Sequence, residues 1–218
     1  VNHGDLSGGT GEAEALLGSF LKDADAVATW DRNYLPADLA VPVVAFPLTG
    51  INPFSLKERI LSQPTIGAVF DKYGLDASRP VILQVARFHK DKDILASLSA
   101  FLRLKQTWLR GSPVPQLVVV GIPISGGDWQ FYHRLRQLVE EVGDSNIHIL
   151  ALNNQYADLT DEERLVFTRE GIDVASIDGV AQNWLELNAL QRGAQVVLHP
   201  SVREAFGMAV AEALWKGK

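Results

Sequence analysis

Pro80-Val-Ile-Leu-Gln-Val-Ala86 runs straight into Arg87-Phe-His-Lys-Asp-Lys-Asp93, and after these come Ile94, Leu95, Leu98, Phe101, Leu102 and Leu104. The first run is almost wholly apolar, as expected of a parallel strand buried on both faces. The later apolar positions fall at helical spacing and predict an amphipathic helix from Ile94 to near Leu109, with Asp91 as its N-cap. The unit is therefore strand, polar loop, helix. Arg87 leaves the carboxyl end of a strand and Lys92 enters a helix. In an open α/β sheet that edge is where ligands bind, and two cations there suit a diphosphate. Read singly, each is also an ordinary solvated cation on a βα loop.

Working outward, Gln116-Leu-Val-Val-Val-Gly121, Asn146-Ile-His-Ile-Leu150 and Gln195-Val-Val-Leu-His199 are further strand candidates. Helices are expected over Thr65 to Tyr73, Trp129 to Val142 and Asn183 to Arg192. Thr160 and Glu163 have the spacing of a capping box for a helix through about Arg169, in a stretch that also reads as an insertion. Alternating strands and helices give an α/β class with a parallel sheet. Near the start, a helix is expected from about Glu12 to Lys22, followed by the apolar runs Ala26-Val-Ala-Thr29 and Val41-Pro-Val-Val-Ala-Phe46. Pro47 to about Lys57 reads as a hinge. The expected organisation is thus 1–46 as the last part of a first Rossmann-like domain, 47–57 as hinge, and 58–218 as a second such domain. Both ends read as cut, since there is no initiator Met and a further strand should follow the last helix.

The terminal stretch Ser201-Val-Arg-Glu-Ala-Phe-Gly-Met-Ala-Val-Ala-Glu-Ala-Leu-Trp-Lys-Gly-Lys218 sets Glu204 and Glu212 eight positions apart around Phe206-Gly207. A helix opening near Gly207 would present unpaired backbone N–H groups, and a residue without Cβ lets a ligand approach them. Glu212 would lie roughly 7 to 8 Å further along the axis. Carboxylates flanking such donors can accept hydrogen bonds from sugar and ribose hydroxyls. The plainer alternative makes Glu204 a helix cap and places Glu212 on a solvated helix face.

These segments carry a family resemblance. Val85-Ala-Arg87 with Lys92, the Gln116–Gly121 strand and the Arg-Glu-Ala-Phe-Gly-Met-Ala-Val-Ala-Glu-Ala segment resemble the nucleotide-sugar domain of retaining glycosyltransferases of the GT-B architecture, glycosyltransferase family 4-like. Gln84-Val-Ala-Arg-Phe88, Gly127-Asp-Trp129 with Tyr132, Glu186-Leu-Asn-Ala-Leu-Gln-Arg192 and Glu212-Ala-Leu-Trp-Lys-Gly-Lys218 are similar to glycosyltransferring trehalose synthases and retaining trehalose phosphorylases. The resemblance covers roughly residues 41 to 151 and 183 to 218 and is weak over Ala151 to Gln182. It implies that Arg87 and Lys92 hold the donor diphosphate and stabilise the leaving nucleotide. Glu204 would sit near the transferred sugar, Phe206 and Gly207 would supply backbone contacts to its hydroxyls, and Glu212 would bind ribose. His3, in a His-Gly-Asp-Leu-Ser segment similar to one in trehalose synthases, would lie near the donor sugar.

The implied activity is transfer of glucose from a nucleoside-diphosphate donor to a sugar acceptor, with no cofactor beyond that donor. Attack and departure on one sugar face need no protein nucleophile, so the two glutamates are not a glycosidase acid and nucleophile pair. Two alternatives stay open: phosphorolysis of trehalose, with inorganic phosphate at Arg87 and Lys92, and a sugar-nucleotide binding module without turnover.

Composition is compatible with this reading. The chain has 218 residues, 47% hydrophobic and 21% charged, which is ordinary globular material. A formal charge of −6 argues against a general nucleic-acid surface, though not against a local basic pocket. Without cysteine there is neither a disulfide framework nor a thiolate metal site. No apolar run reaches bilayer-spanning length, and a cytoplasmic location is the expectation. The expected partners are nucleotide-sugar and a small sugar acceptor, with self-association as a homodimer left open. Gly8-Gly-Thr-Gly11 lacks the spacing and preceding strand of a phosphate loop. Trp129, Trp184 and Trp215 read as core residues, His89 as exposed, and Asp158 to Glu163 as a solvated helix start; no His, Asp and Glu cluster has a metal spacing.

Overall fold

The computed structural model describes residues 18–29, 32, 35, 39–45, 50–108, 111–153, 159–202, 204 and 206–218. His3 and Gly8–Gly11 lie outside the described residues, as does the start of the helix expected from Glu12; residues 18–22 are helical. The chain divides into two compact units. One takes in the described residues up to Gly50 together with Glu204, Phe206 and Gly207, and the other takes in 51–203 and 208–218.

In the first unit, β1 (Val27–Thr29) and β2 (Val43–Ala45) pair in parallel, with Val27 opposite Val43. These strands fall within the two short apolar runs expected to form the end of a Rossmann-like domain.

The second unit opens with α1 (Gln63–Lys72), whose N-cap Ser62 accepts from the Thr65 N–H at 3.4 Å. It continues through β3 (Val81–Val85), α2 (Ile94–Thr107), β4 (Gln116–Gly121), α3 (Gly126–Val142) and β5 (Ile147–Ala151). Then come α4 (Asp161–Arg169), α5 (Gly179–Gly193), β6 (Val196–Leu198) and α6 (Met208–Trp215). The four strands form one wholly parallel sheet in the order β5-β4-β3-β6.

Alternation along β4 accounts for the layering. Val118 and Val120 join Val81, Leu83, Val69, Phe70, Leu185 and Leu190 on one face. Leu117 and Val119 join Phe88, Ile94, Leu98, Phe101, Leu135, Ile147 and Ile149 on the other. Successive side chains point to opposite faces, so an unbroken apolar run needs helices on both sides. All six β4 residues are buried, as a central strand requires.

Two expectations are corrected here. Asp91 does not cap α2: Lys90–Lys92 form a 3₁₀ turn and Asp93 is the N-cap, with φ 44° and ψ 45° and no side-chain cap bond. The Gln84 Nε2 donates to the Lys92 carbonyl at 2.7 Å, which pins the end of that turn to β3 and delays the helix. Nor is Glu163 solvated. The Thr160 capping box forms as expected, with Thr160 N–H to Glu163 Oε2 at 2.8 Å and Glu163 N–H to Thr160 Oγ1 at 3.2 Å, but Glu163 is buried and Lys72 reaches it at 3.4 Å.

Residues 159–177 are part of the core rather than a loose insertion. Leu159, Phe167, Ile172 and Ile177 are buried in the same cluster as α1 and α5. Glu170 accepts from Ser62 N–H at 2.6 Å and from Thr65 Oγ1 at 2.5 Å, which seats the end of α4 on the start of α1. Glu186, fully buried, accepts from Lys72 at 2.7 Å, Tyr73 at 2.6 Å and Gln182 at 2.7 Å. Burial, helped by the charge of Glu186, pushes the Tyr73 hydroxyl far above its ordinary range, so it stays a donor.

The segment leading into α1 is held from α5 and the C-terminus. Asn188 Nδ2 donates to the carbonyls of Leu56 (2.9 Å) and Arg59 (2.8 Å), and Arg192 donates to those of Arg59 (3.1 Å) and Glu58 (2.8 Å). Lys216 Nζ reaches Glu58 Oε2 at 2.8 Å and Gln191 Oε1 at 2.5 Å. The part of the expected hinge from Ile51 onward is thus packed into the second unit.

Candidate functional site

The parallel register brings three carboxyl ends together. Val85 of β3 lies opposite Val120 of β4, and Gln84 lies opposite Leu198 of β6. Three loops therefore leave one edge side by side: Ala86–Asp93, Ile122–Ser125 and the stretch after Leu198. Val202 N–H donates to the Asp91 carbonyl at 2.9 Å, which joins the third loop to the first.

The first loop is fixed from several sides. Ala86 N–H continues the strand pairing by donating to the Val120 carbonyl at 3.0 Å. Phe88 is completely buried, and its ring lies 5.1 Å from that of Tyr132 on α3. Arg87 projects outward between these anchors, with its side chain 53% exposed, and its Nη2 lies 3.3 Å from each carboxylate oxygen of Asp128. Lys92 is half-buried at the end of the 3₁₀ turn, whose backbone Gln84 holds. The two expected cations therefore occupy one loop on the sheet edge, five positions apart.

Asp128 was not among the residues expected at a site. It sits in the first turn of α3, where its N–H donates to the N-cap Ser125 Oγ at 3.2 Å and its Oδ2 accepts from Ile124 N–H at 3.0 Å. Burial alone would push its carboxyl up, but the Ile124 N–H and Arg87 outweigh that and hold it below the ordinary carboxylate range. It is therefore a fixed anion behind Arg87. The readable signal was Ser125-Gly-Gly-Asp128, a helix-capping spacing on the loop next to an arginine.

Gly121 makes this edge tight. A Cβ at that position would run into the Ala86 carbonyl oxygen and come within 3.2 Å of the Phe88 ring. Gly121→Ala should therefore displace the residue before Arg87 and destabilise the protein by about 1 to 3 kcal/mol, as overpacking does. Denaturant unfolding measures this; an unchanged midpoint would mean that the loop shifts freely.

Gly207, with φ 78°, immediately precedes α6, so the helix opens where the sequence predicted and the residue adopts a conformation that suits glycine. Glu204 and Phe206 are exposed residues of the unit that holds Gly207. Glu212 departs from the plain reading of a solvated helix face: it is 1% exposed, ion-paired with Lys57, and its Oε2 accepts from Gln191 at 3.2 Å. Of the tryptophans expected in the core, Trp184 and Trp215 are 43% and 51% exposed, and the Trp215 indole N–H donates to the Glu58 carbonyl at 3.3 Å. Among the described residues no group of three or more His, Asp or Glu could hold a metal ion, and no helix is long and apolar enough to cross a membrane.

The chain is 28% identical over 218 residues to the trehalose synthases of Thermococcus litoralis and Rubrobacter xylanophilus, covering 99% of its own length and 45% of theirs. This chain is similar to trehalose synthases. It spans under half the length of these curated relatives, and no protein-family model matches it. Among solved structures, a sucrose-phosphate synthase from Thermosynechococcus elongatus superposes with a TM-score of 0.60 at 20% identity, over 93% of this chain and 42% of that one. Anabaena HepE, in complex with UDP and glucose, gives a TM-score of 0.60 at 16% identity, over 100% of this chain and 50% of that one. These likenesses place the fold with the GT-B glycosyltransferases.

Proposed function

We propose that this chain carries the nucleotide-sugar site of a retaining glycosyltransferase that moves glucose from a nucleoside diphosphate to a sugar acceptor, in the manner of a trehalose synthase. The observation that carries this reading is the loop at the carboxyl end of β3. It presents Arg87 and Lys92 together, with a buried carboxylate steadying Arg87. When the bond between glucose and diphosphate breaks, negative charge grows on the leaving oxygen. Cations positioned there favour the transition state over the ground state.

Departure of the diphosphate and attack by the acceptor hydroxyl on the same face retain the anomeric configuration without a protein nucleophile. By the resemblance, Glu204, Phe206 and Gly207 would contact the transferred sugar. Glu212 accepts from the ribose hydroxyls. The likeness to a structure in complex with UDP and glucose supports a donor of this class. A cytoplasmic setting and a donor substrate in place of a bound cofactor go with this reading.

Glu212→Gln in the full-length protein tests it. A hydrogen bond to a charged group contributes about 1.5 to 3 kcal/mol, so loss of the ribose contact should weaken UDP binding by roughly tenfold or more. Inorganic phosphate should bind as before. Calorimetric titration with each ligand separates the outcomes. A parallel loss of both would make Glu212 a structural partner of Lys57 and Gln191 only. Phosphate binding tighter than UDP would turn the reading towards phosphorolysis.

A further inference from the structure

We infer that Asp128 is a positioning residue for diphosphate recognition: it fixes the guanidinium of Arg87 in the orientation that receives the donor. This rests on the reading of Arg87 as a diphosphate contact, and it adds a residue on a different loop to that site.

The asymmetry of the pair is the reason. The Asp128 side chain is 2% exposed and that of Arg87 is 53% exposed. A carboxylate taken out of water is costly unless it is paired and hydrogen-bonded, and a helix start needs no charge there when Ser125 already caps it. The carboxylate is rigid, because Ile124 N–H holds Oδ2 at 3.0 Å and the first turn of α3 holds the backbone. Arginine, by contrast, loses up to about 2 kcal/mol of rotamer freedom when it is ordered. A fixed anion that orders it in the free protein removes that cost from the binding step.

The contact also leaves the donor face open. Only Nη2 meets Asp128, at 3.3 Å from both oxygens, and among the described residues the Arg87 side chain has no other partner. Its remaining N–H groups are thus available for the planar two-point contact that phosphate oxygens accept. Phe88, the next residue, docks on Tyr132, one helical turn beyond Asp128. The first two turns of α3 therefore set both the backbone and the side chain of the loop.

The test is a double-mutant cycle read by calorimetric titration with UDP in the full-length protein. Asp128→Asn keeps the size and an acceptor for Ile124 N–H but removes the charge. It should weaken UDP binding about tenfold, and in an Arg87→Ala background it should change affinity by less than about twofold. Asp128→Glu, which retains the charge, should recover part of the loss; it also carries the cycle should the asparagine variant not fold.

Equal losses from Asp128→Asn with and without Arg87 would show that Asp128 acts on the helix rather than through Arg87, and would overturn the inference. So would undiminished affinity in Asp128→Asn, or equal losses in the Asn and Glu variants. If Arg87→Ala itself leaves UDP affinity unchanged, the underlying reading of Arg87 fails and the inference fails with it. That result is distinct, because it needs no Asp128 variant.

Discussion

Arg87→Ala and Lys92→Ala are each expected to lower kcat for sugar transfer about 10²- to 10³-fold, the usual cost of removing one group aimed at charge that develops in the transition state. In the proposed site both cations would meet a donor that is already charged, so some loss should appear in KM. The larger loss belongs in kcat, since charge on the leaving oxygen rises only as the glycosidic bond opens. Steady-state kinetics of the full-length protein with UDP-glucose and glucose measure the two separately. A raised KM with kcat unchanged would mean that the loop binds ground state and transition state alike, and would remove the leaving-group role.

Phe167→Ala is expected to destabilise the protein by about 3 to 5 kcal/mol, as truncation of a wholly buried aromatic ring does. Phe167 is 0% exposed and lies in the core shared by α1, β3, β4 and α5. Guanidinium unfolding of the variant and its parent gives the difference. A loss below about 1 kcal/mol would show that the 159–177 segment folds as an appendage. The large value would instead mean that this part of the chain is structurally indispensable.

Legibility varied with how local the controlling physics is. The strand Gln116–Gly121 was readable to the residue, because a short apolar run with three consecutive valines, closed by a glycine, has few other uses. Arg87 and Lys92 were readable as neighbours because the strand-loop-helix pattern places both on the loop at the carboxyl end of β3. The helix after them starts at Ile94, but its N-cap was misread, since the 3₁₀ turn and the left-handed Asp93 depend on a hydrogen bond from Gln84, eight residues before Lys92. In 159–177 the buried positions Leu159, Phe167, Ile172 and Ile177 follow neither a strand period nor a helix period, so no pattern marks them as core. Asp128 stayed hidden because its significance comes from Arg87, 41 positions away, and a helix-start aspartate is otherwise unremarkable.

Asn188 and Arg192 on α5 and Trp215 at the end of α6 all donate to main-chain carbonyls of Leu56, Glu58 and Arg59. A carbonyl is the same acceptor whatever side chain its residue carries. The path of that segment is therefore written more than a hundred positions downstream of it. A change of side chain at Leu56 or Arg59 would forfeit only what that side chain itself touches, whereas loss of Asn188 or Arg192 would erase the instruction while leaving the segment's own letters intact.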